Sequence, residues 1–412
     1  MTRWRHQAPV RSPLSAAALL AGTRATVARN GQAARAQARV EQLIQERFAP
    51  ASVLLTDSGT AALTGALGGI FARSGRGRGR ERDPARAIVA MPAYGCYDLA
   101  TAAAGANVRV FLYDLDPCTL TPDLDQIRAA LRQGAAAIVV AHLYGYPVGL
   151  DDVNRLAQEA GATVVEDAAQ AAGATFDNRP AGALASLALL SFGRGKGLTG
   201  GSGGALLAYD DEAVRVLEYV RATLGVPHRG VPELVALTAQ WLFQNPNLYA
   251  LPAALPFLQL GDTIYRPPRA ARAPSPAAAT VVAATWGLAE REVALRRRNA
   301  DRLLHALQRR GDLQPIEPSP RARPGYLRLP VLAAPQVLRA VTGSTARRLG
   351  IMRGYPRSLC DLDQFTARCL NRDSGFPGSR ILAEQLCTLP THGGLADRDL
   401  GRLEEWIGAR GR

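Results

Sequence analysis

Residues 187–208 read LALLSFGRGKGLTGGSGGALLA: an apolar run, a glycine-rich loop and a second apolar run. Short apolar runs bounded by glycines predict two buried strands, at Leu187–Ser191 and Gly204–Ala208. The loop contains Lys196, the only lysine among the 49 Lys and Arg residues of the chain. Arginine replaces lysine easily on a surface, but its guanidinium stays protonated and cannot act as a neutral amine. The retained lysine therefore indicates amine chemistry such as a Schiff base.

Upstream of this loop, short apolar runs alternate with amphipathic stretches. Five more buried strands are predicted: Ser52–Thr56, Ala87–Met91, Val108–Leu112, Ala136–Ala141 and Thr163–Glu166. Helices are predicted at 123–132, where the apolar residues share one face, and at 151–160, which begins with two acids suited to a helix N-terminus. This alternation predicts an α/β fold with a mainly parallel sheet covered by helices on both faces.

Three further segments carry candidate chemistry. Residues 57–63, DSGTAAL, follow a strand, and a small-residue turn that opens a helix exposes N–H groups to a phosphate; a plain helix cap is the alternative. Asp167 follows a predicted strand, where it is either a helix cap or an acid in the ligand crevice. In pyridoxal phosphate (PLP) enzymes such an acid pairs with the pyridine nitrogen. The glycines at 200–204 allow close backbone approach. Phosphate turn, acid and lysine in this chain order are typical of fold-type I PLP enzymes.

The sequence resembles the DegT/DnrJ/StrS family of PLP-dependent sugar aminotransferases over most of its length. The matching segments are SGTAAL (58–63), PAY (92–94), AHLYGYPVGLDDV (141–153), VVEDAAQAAGA (164–174), SFGRGKGLTGGSGGALL (191–207) and LPTHGGLADRDLGRLEEWI (389–407). The resemblance implies a fold-type I PLP transferase, with a mainly parallel sheet between helices and a smaller C-terminal α+β domain.

The resemblance also implies roles for individual residues. Lys196 would bind the cofactor as a Schiff base and shuttle the substrate proton, and Asp167 would pair with the pyridine nitrogen. Of the other cofactor-binding candidates, Gly59, Thr60 and Ser191 would hold the phosphate, Gln170 would lie near the phenolic oxygen, and either Cys96 or Tyr97 would face the ring. No metal site is implied.

Two departures from the family pattern concern the substrate. The family commonly has a glutamate in the glycine stretch, where this chain has Ser202. A Gly-x-Asn-x-Arg segment, lent in the family to the partner's site, has no counterpart; Asn245 and Asn247 are the nearest candidates for its asparagine. The acceptor is therefore less certain to be a nucleotide-linked sugar. The retained lysine favours transamination over the dehydration that lysine-lacking members catalyse.

Composition changes divide the chain into four predicted regions. An N-terminal segment (1–50) precedes the large PLP-binding domain (51–224). Residues 225–285 are rich in proline and aromatic side chains, and we predict an irregular segment that serves as an interface or a lid. A small C-terminal domain (286–412) follows. Within the large domain, the Gly/Arg-rich stretch 73–86 is predicted to be a solvated connection.

Charge and cysteine usage narrow the class of protein further. The net charge of +14 reflects arginine preference, so we do not predict nucleic-acid binding. Five cysteines without a CxxC pair argue against a disulfide scaffold or zinc site and favour a reducing compartment. Residues 14–22 loosely mimic a signal peptide but are weakly hydrophobic, and no stretch predicts stable membrane insertion. The predicted location is the cytoplasm.

Together these features predict a PLP-dependent aminotransferase, a homodimer with shared active sites. Its substrates would be small molecules: an amino donor, by family analogy glutamate, and a keto group of a sugar-like or nucleotide-sugar acceptor. Two alternatives stay open: another PLP reaction, such as elimination, decarboxylation or racemisation, and a catalytically idle regulatory homologue. Nucleic-acid binding through the arginine-rich surface ranks last.

Overall fold

The computed structural model describes residues 5–27, 30–74, 87–253 and 263–409. The predicted solvated connection at 73–86 lies outside these residues from position 75 onward. In the described ranges, no helix is long and apolar enough to span a bilayer.

The strands, in chain order, are β1 (Ser52–Thr56), β2 (Ile88–Pro92), β3 (Arg109–Tyr113), β4 (Ala135–Ala141), β5 (Thr163–Asp167), β6 (Thr175–Phe176), β7 (Arg179–Pro180), β8 (Leu187–Ser191), β9 (Gly204–Ala208), β10 (Leu313–Pro315), β11 (Ala322–Arg323), β12 (Leu329–Ala333), β13 (Met352–Arg353) and β14 (Leu386–Leu389).

The α-helices, in chain order, are α1 (Ala16–Val27), α2 (Asn30–Phe48), α3 (Gly59–Ser74), α4 (Asp98–Gly105), α5 (Leu124–Arg132), α6 (Asp151–Ala160), α7 (Asp211–Thr223), α8 (Val231–Leu242), α9 (Pro246–Ala253), α10 (Pro276–Leu307), α11 (Pro335–Val341), α12 (Ser344–Arg348), α13 (Pro377–Gln385) and α14 (Asp397–Gly408).

A seven-stranded sheet forms the centre of the large domain. Its strand order is β1-β9-β8-β5-β4-β2-β3, and β9 alone runs against the other six. Successive side chains of its strands enter different cores: Ile138 packs with Ile127 of α5, whereas Val139 packs with Leu67 of α3. Both faces are therefore covered, which explains the nearly continuous apolar runs of these strands. The predicted mainly parallel α/β sheet is confirmed, and each predicted strand end falls within one residue of the observed one.

The C-terminal region forms the predicted smaller α+β domain. Its antiparallel sheet has the order β10-β12-β14-β13 and carries α13 and α14. The long helix α10 links it to the large domain. Because α10 begins at Pro276, the predicted domain start at residue 286 falls inside this helix.

Residues 225–285 contain more regular structure than the irregular segment predicted from the sequence. They include α8, α9 and the first ten residues of α10. Each of these helices has a proline in its first turn: Pro232, Pro246 and Pro276. A proline in the first turn costs no hydrogen bond and presets the helical φ, so these prolines begin helices rather than interrupt them.

The N-terminal residues pack against α8 and α10. Leu14, Ala18 and Leu19 share a small apolar core with Leu237 and Val281. The apolar run that loosely mimics a signal peptide is thus an integral part of the folded chain.

Candidate active site

An open cavity, whose empty space of about 380 Å³ is partly continuous with solvent, lies where β1, β5 and β8 end. Parallel strands bring their carboxyl ends to one edge of the sheet, and this edge is the usual ligand site of such folds. Seven of the eight predicted site residues line the cavity: Gly59, Thr60, Cys96, Asp167, Gln170, Ser191 and Lys196. The structure therefore brings together side chains that lie far apart in the sequence.

The first corner of the cavity is the N-terminus of α3, which begins at Gly59. The first N–H groups of a helix have no intrahelical acceptor, and the helix dipole adds positive potential there. A Cβ on Gly59 would lie 2.8 Å from the Cβ of Ser191, and one on Gly204 would lie 2.6 Å from the carbonyl of Ser58. Only glycine permits these approaches. The Ser58 hydroxyl caps the helix by accepting from Ala61 N at 3.0 Å, and the start of α3 beside the Ser191 hydroxyl suits a phosphate group.

Asp167 stands at the end of β5 and is half-buried. Its Oδ1 accepts a hydrogen bond from Ala169 N at 2.9 Å. Among the described residues, no hydrogen bond reaches its Oδ2. Burial raises the pKa of this carboxyl, against the opposing effects of the Ala169 N–H, Lys196 and His142. A cationic partner in the cavity would stabilise the ionised form.

A buried pair, His142 and Glu166, holds the backbone next to Asp167 in place. His142 Nε2 lies 2.8 Å from Glu166 Oε1, and His142 Nδ1 accepts from Val148 N at 3.2 Å, which places the ring proton on Nε2. Glu166 Oε2 also accepts from Leu184 N at 2.8 Å. The backbone N–H of His142 donates to the carbonyl of Asp167 at 3.0 Å. The pair thus fixes the ends of β4 and β5 on which Asp167 depends.

Lys196 occupies a tight glycine-rich turn after β8. Its N–H donates to Gly193 O at 3.4 Å, and Gly195 has a φ of +74°, in the left-handed region that favours glycine. The carbonyl of Lys196 accepts a hydrogen bond from Ser12 Oγ at 2.7 Å. The ammonium is close enough to Asp167 to lower the pKa of that carboxyl. The sole lysine and the strand-end acid therefore share one cavity.

Tyrosines from both domains form a polar wall beside Gln170. Gln170 Nε2 donates to Tyr355 Oη at 2.9 Å, and its Oε1 accepts from Tyr144 N at 3.2 Å. The Tyr144 and Tyr355 rings stack with centroids 5.8 Å apart, and Tyr94 Oη lies 2.9 Å from Tyr144 Oη. Burial raises the pKa of Tyr355, while nearby Arg328 opposes the rise. Tyr94 and Tyr144 are buried, and the contacts with Tyr144 and Tyr355 hold the Gln170 side chain at the edge of the cavity.

The two candidates for the ring face lie in different environments. Cys96 lines the cavity, and its thiol donates to Asp98 Oδ2 at 3.4 Å. Burial raises the pKa of this thiol well above its usual range, which makes it a poor nucleophile. Tyr97 does not line the cavity; it is buried in the apolar core, with its ring centroid 6.5 Å from that of Tyr355. The assignment of either residue to the ring face stays a prediction.

A carboxylate reaches the glycine stretch from another element of the chain. Ser202, where the family commonly has glutamate, donates to Glu233 Oε1 of α8 at 3.0 Å. His228 Nε2 lies 3.1 Å from the same oxygen. Sequence reasoning missed Glu233, because nothing in its local sequence marks it as the neighbour of a loop some thirty residues earlier.

These features fit pyridoxal phosphate. The close contacts of Gly59 and Gly204 bring the positive N-terminus of α3 against Ser191, where it suits a phosphate. Asp167 Oδ2, which accepts no hydrogen bond from the described residues, is available to a protonated ring nitrogen. Lys196 supplies the amine. Each requirement is met by a residue on the same cavity.

Named proteins resemble parts of this sequence. The chain is 35% identical over 156 residues to an L-glutamine:2-deoxy-scyllo-inosose aminotransferase of Streptomyces fradiae, covering 37% of each chain. It is 32% identical over 231 residues to the protein of that name from Streptomyces kanamyceticus, covering 54% of this chain and 51% of that one. The chain therefore spans about a third to a half of the length of these curated relatives.

The fold matches solved structures over nearly the whole chain. The sugar aminotransferase CalS13 from Micromonospora echinospora superposes with a TM-score of 0.73, covering 97% of this chain and 98% of that one. At 20% identity this likeness shows the fold alone. At the level of sequence, the profile of the DegT/DnrJ/EryC1/StrS aminotransferase family matches residues 24–261, more than half of the 412 residues. The chain thus belongs to the DegT/DnrJ/EryC1/StrS aminotransferase family.

Proposed function

We propose that this chain is a PLP-dependent aminotransferase that moves an amino group from an amino acid to a keto group on a sugar-like acceptor. The observation that carries the proposal is the meeting of Lys196 and Asp167 in one cavity with the N-terminus of α3. An amine, an acid and an anion-binding corner are the three groups that the cofactor requires.

Each residue of the cavity would have a different role in the reaction. Bound PLP supplies an aldehyde that links covalently to amines and a ring that withdraws electrons. Lys196 Nζ, in its neutral form, accepts the proton of the substrate carbon and returns it. Asp167 keeps a proton on the ring nitrogen through its negative charge. Gly59 and Thr60 N–H groups and the Ser191 hydroxyl hold the phosphate.

The names of the relatives suggest the substrate class. The relatives are named for L-glutamine as donor and a cyclic polyol ketone as acceptor. We therefore propose glutamine as the first donor to test, ahead of the glutamate expected from family analogy. Keto-cyclitols and keto-sugars are the first acceptors, with nucleotide-linked sugars next.

Residues of α8 and α9 support a homodimeric assembly. Several large apolar side chains there are exposed: Val231, Val235, Leu242, Leu248 and Leu251. Exposed apolar side chains that cluster in this way are typical of interfaces. We propose that this surface meets a second copy of the chain, in the cytoplasm, where the five free cysteines stay reduced.

A spectrum of the purified protein followed by an amino-acid screen tests the function. We expect visible absorbance from bound PLP, lost on addition of a competent donor and restored by a keto acceptor. Release of ammonia and a keto acid without an acceptor would instead show elimination. Absorbance that no amino acid changes would favour the idle regulatory homologue.

A further inference from the structure

An extended segment at residues 5–14, here called the N-terminal strap, ties several parts of the molecule together. Its hydrogen bonds reach α9, α12, the small domain and α10: His6 N to Pro246 O (2.9 Å), Gln7 N to Arg348 O (2.8 Å), His392 Nε2 to Ala8 O (2.8 Å) and Arg296 Nη2 to Arg11 O (2.9 Å). Arg5 forms an ion pair with Asp399 at 2.7 Å. These contacts hold the strap along most of its length.

Ser12 is the point where the strap meets the active site. Its side chain is completely buried, and its Oγ donates to the backbone carbonyl of Lys196 at 2.7 Å. Gln244 Nε2 donates to Ser12 O at 3.2 Å, and Arg11 Nη2 donates to Gln244 Oε1 at 3.0 Å. Ser12 is therefore fixed on one side by α8–α9 and makes its only side-chain hydrogen bond among the described residues to the lysine.

The loop that carries Lys196 is closed at its base, where Gly200 N and Thr199 Oγ1 donate to Phe192 O at 2.9 and 3.2 Å, but its tip is less restrained. At the tip, the hydrogen bond from Lys196 N to Gly193 O is long at 3.4 Å. Gly193, Gly195 and Gly197 give the backbone more conformational freedom than other residues would. On the far side the loop is tightly packed, because a Cβ on Gly197 would lie 2.3 Å from the Cβ of Ala172. A hydrogen bond to the lysine carbonyl from outside the loop is thus well placed to set the direction of its side chain.

We infer that Ser12 is a positioning residue for Lys196: the strap holds the lysine carbonyl and so orients the ε-amine towards Asp167. The inference rests on the proposed function for the role of Lys196, but the contact itself is independent of any substrate. Ser12 does not touch the reacting atoms. Its loss should slow turnover without weakening substrate binding.

The uniqueness of Lys196 permits a direct test on the full-length protein freed of cofactor. Trace acetic anhydride labels amines, and mass spectrometry of the peptide containing Lys196 reports that lysine alone. We expect Ser12→Ala to change the labelling rate and its pH profile. Ser12→Thr, which keeps the hydroxyl, should restore both. Ser15→Ala is the matched control, because within the described residues the Ser15 hydroxyl makes one hydrogen bond, accepted from Ala18 N in the first turn of α1.

Kinetics on the cofactor-loaded enzyme give the second measurement. Loss of one oriented hydrogen bond should lower kcat about tenfold in Ser12→Ala and leave KM within about twofold. If Ser12→Ala does not fold, Gln244→Met is the alternative variant. It removes the hydrogen bonds between Gln244 and the strap without changing a contact of Lys196, and it should lower kcat in the same way but by less. Wild-type labelling, pH profile and kcat in a folded Ser12→Ala protein would overturn the inference. Failure of all variants and the wild type to transfer an amine would instead count against the proposed function, because the labelling result stands without it.

Discussion

The region 52–208, which contains Lys196, and the region 225–275 contribute to the active site in different ways. The first region places its functional groups at strand ends, where the fold gathers them regardless of substrate. In its described part, the second region contains α8 and α9, and it contacts the glycine stretch through Glu233 and the N-terminal strap through Gln244. The first region thus supplies residues for the chemistry, and the second supplies residues that hold them in place.

The difference lies in the range of the interactions involved. A strand end and the following turn are set by a few neighbouring residues, so Asp167 and Gly59 have local sequence signatures. Glu233 and Gln244 act on loops that are distant in the chain, and their own surroundings are ordinary helix. Changes to the cavity residues of the first region should therefore abolish chemistry, and changes to Glu233 and Gln244 should alter it by degrees.

The largest effect should come from Lys196→Arg. The guanidinium cannot become a neutral amine, so turnover should fall by at least about 10⁴-fold, the upper end of what a lost acid–base group costs. Borohydride reduction of the coloured wild-type protein should attach the cofactor to the peptide containing Lys196. Arg194→Gln, at the exposed neighbouring position, is the control and should stay active. An unlabelled Lys196 in a coloured, active sample would exclude the assignment.

Asp167→Asn should give the next largest effect. The substitution keeps the shape of the side chain but removes the charge that holds a proton on the ring nitrogen. Loss of a buried charged partner costs about 3–5 kcal/mol, which corresponds to a fall in kcat of roughly 150- to 5,000-fold. Steady-state rates and the cofactor absorbance measure it. Near-normal turnover would leave Asp167 as a cap for the Ala169 N–H and nothing more.

The sequence predicts the sheet and the cavity well because both depend on local pattern. Strand ends at Thr56, Asp167 and Ser191 follow from apolar runs bounded by glycine or acid, and the parallel arrangement then brings them together. Ser12 and Tyr355 could not be found this way. Each reaches the site through contacts across nearly two hundred positions, and neither is marked by unusual neighbours.

The prolines of residues 225–285 are hard to interpret from the sequence for a related physical reason. Many prolines, as in residues 225–285, suggest irregular chain, but a proline in the first turn of a helix costs no hydrogen bond. Only the position of the proline relative to the helix start shows which of the two cases applies. For α8, the helix packs against α1 and α10, and the sequence of the segment does not show this packing.

Asn245 and Asn247 decide whether the second region also serves a partner's site. Both side chains are exposed, and Asn245 Oδ1 accepts from Asn247 N at 3.0 Å at the start of α9. Mixing Lys196→Ala with the double Asn245→Ala/Asn247→Ala variant should restore about one working site per mixed dimer if sites are shared. Lys196→Ala mixed with Asp167→Asn is the control, because both residues line one cavity and cannot complement each other.

Subunit exchange must be shown with differently tagged chains. Three results together would show that the asparagines serve their own chain: the subunits exchange, the double variant alone is inactive, and the mixture stays inactive. The exposed apolar residues of α8 and α9 would then serve another purpose.

The smallest effect concerns His392, which joins the small domain to the N-terminal strap. Burial lowers its pKa from the ordinary value of 6.5 to about 4. Its Nε2 donates to Ala8 O at 2.8 Å, and among the described residues its buried Nδ1 has no hydrogen-bond partner, so protonation would leave a buried N–H unsatisfied.

Because the folded state resists protonation, the stabilising effect of neutral His392 is complete above pH 6.5 and is lost as the pH falls towards 4. With a difference of about 2.5 units between unfolded and folded pKa, the loss amounts to about 3 kcal/mol. Urea unfolding at pH 7 and at pH 4.5 should show a smaller decline for His392→Gln than for the wild type, while His305→Gln, at an exposed position, should follow the wild type. If His392→Gln and wild type declined equally, the strap would be held by its other contacts, and protonation of His392 would be coupled to a local opening rather than to global unfolding.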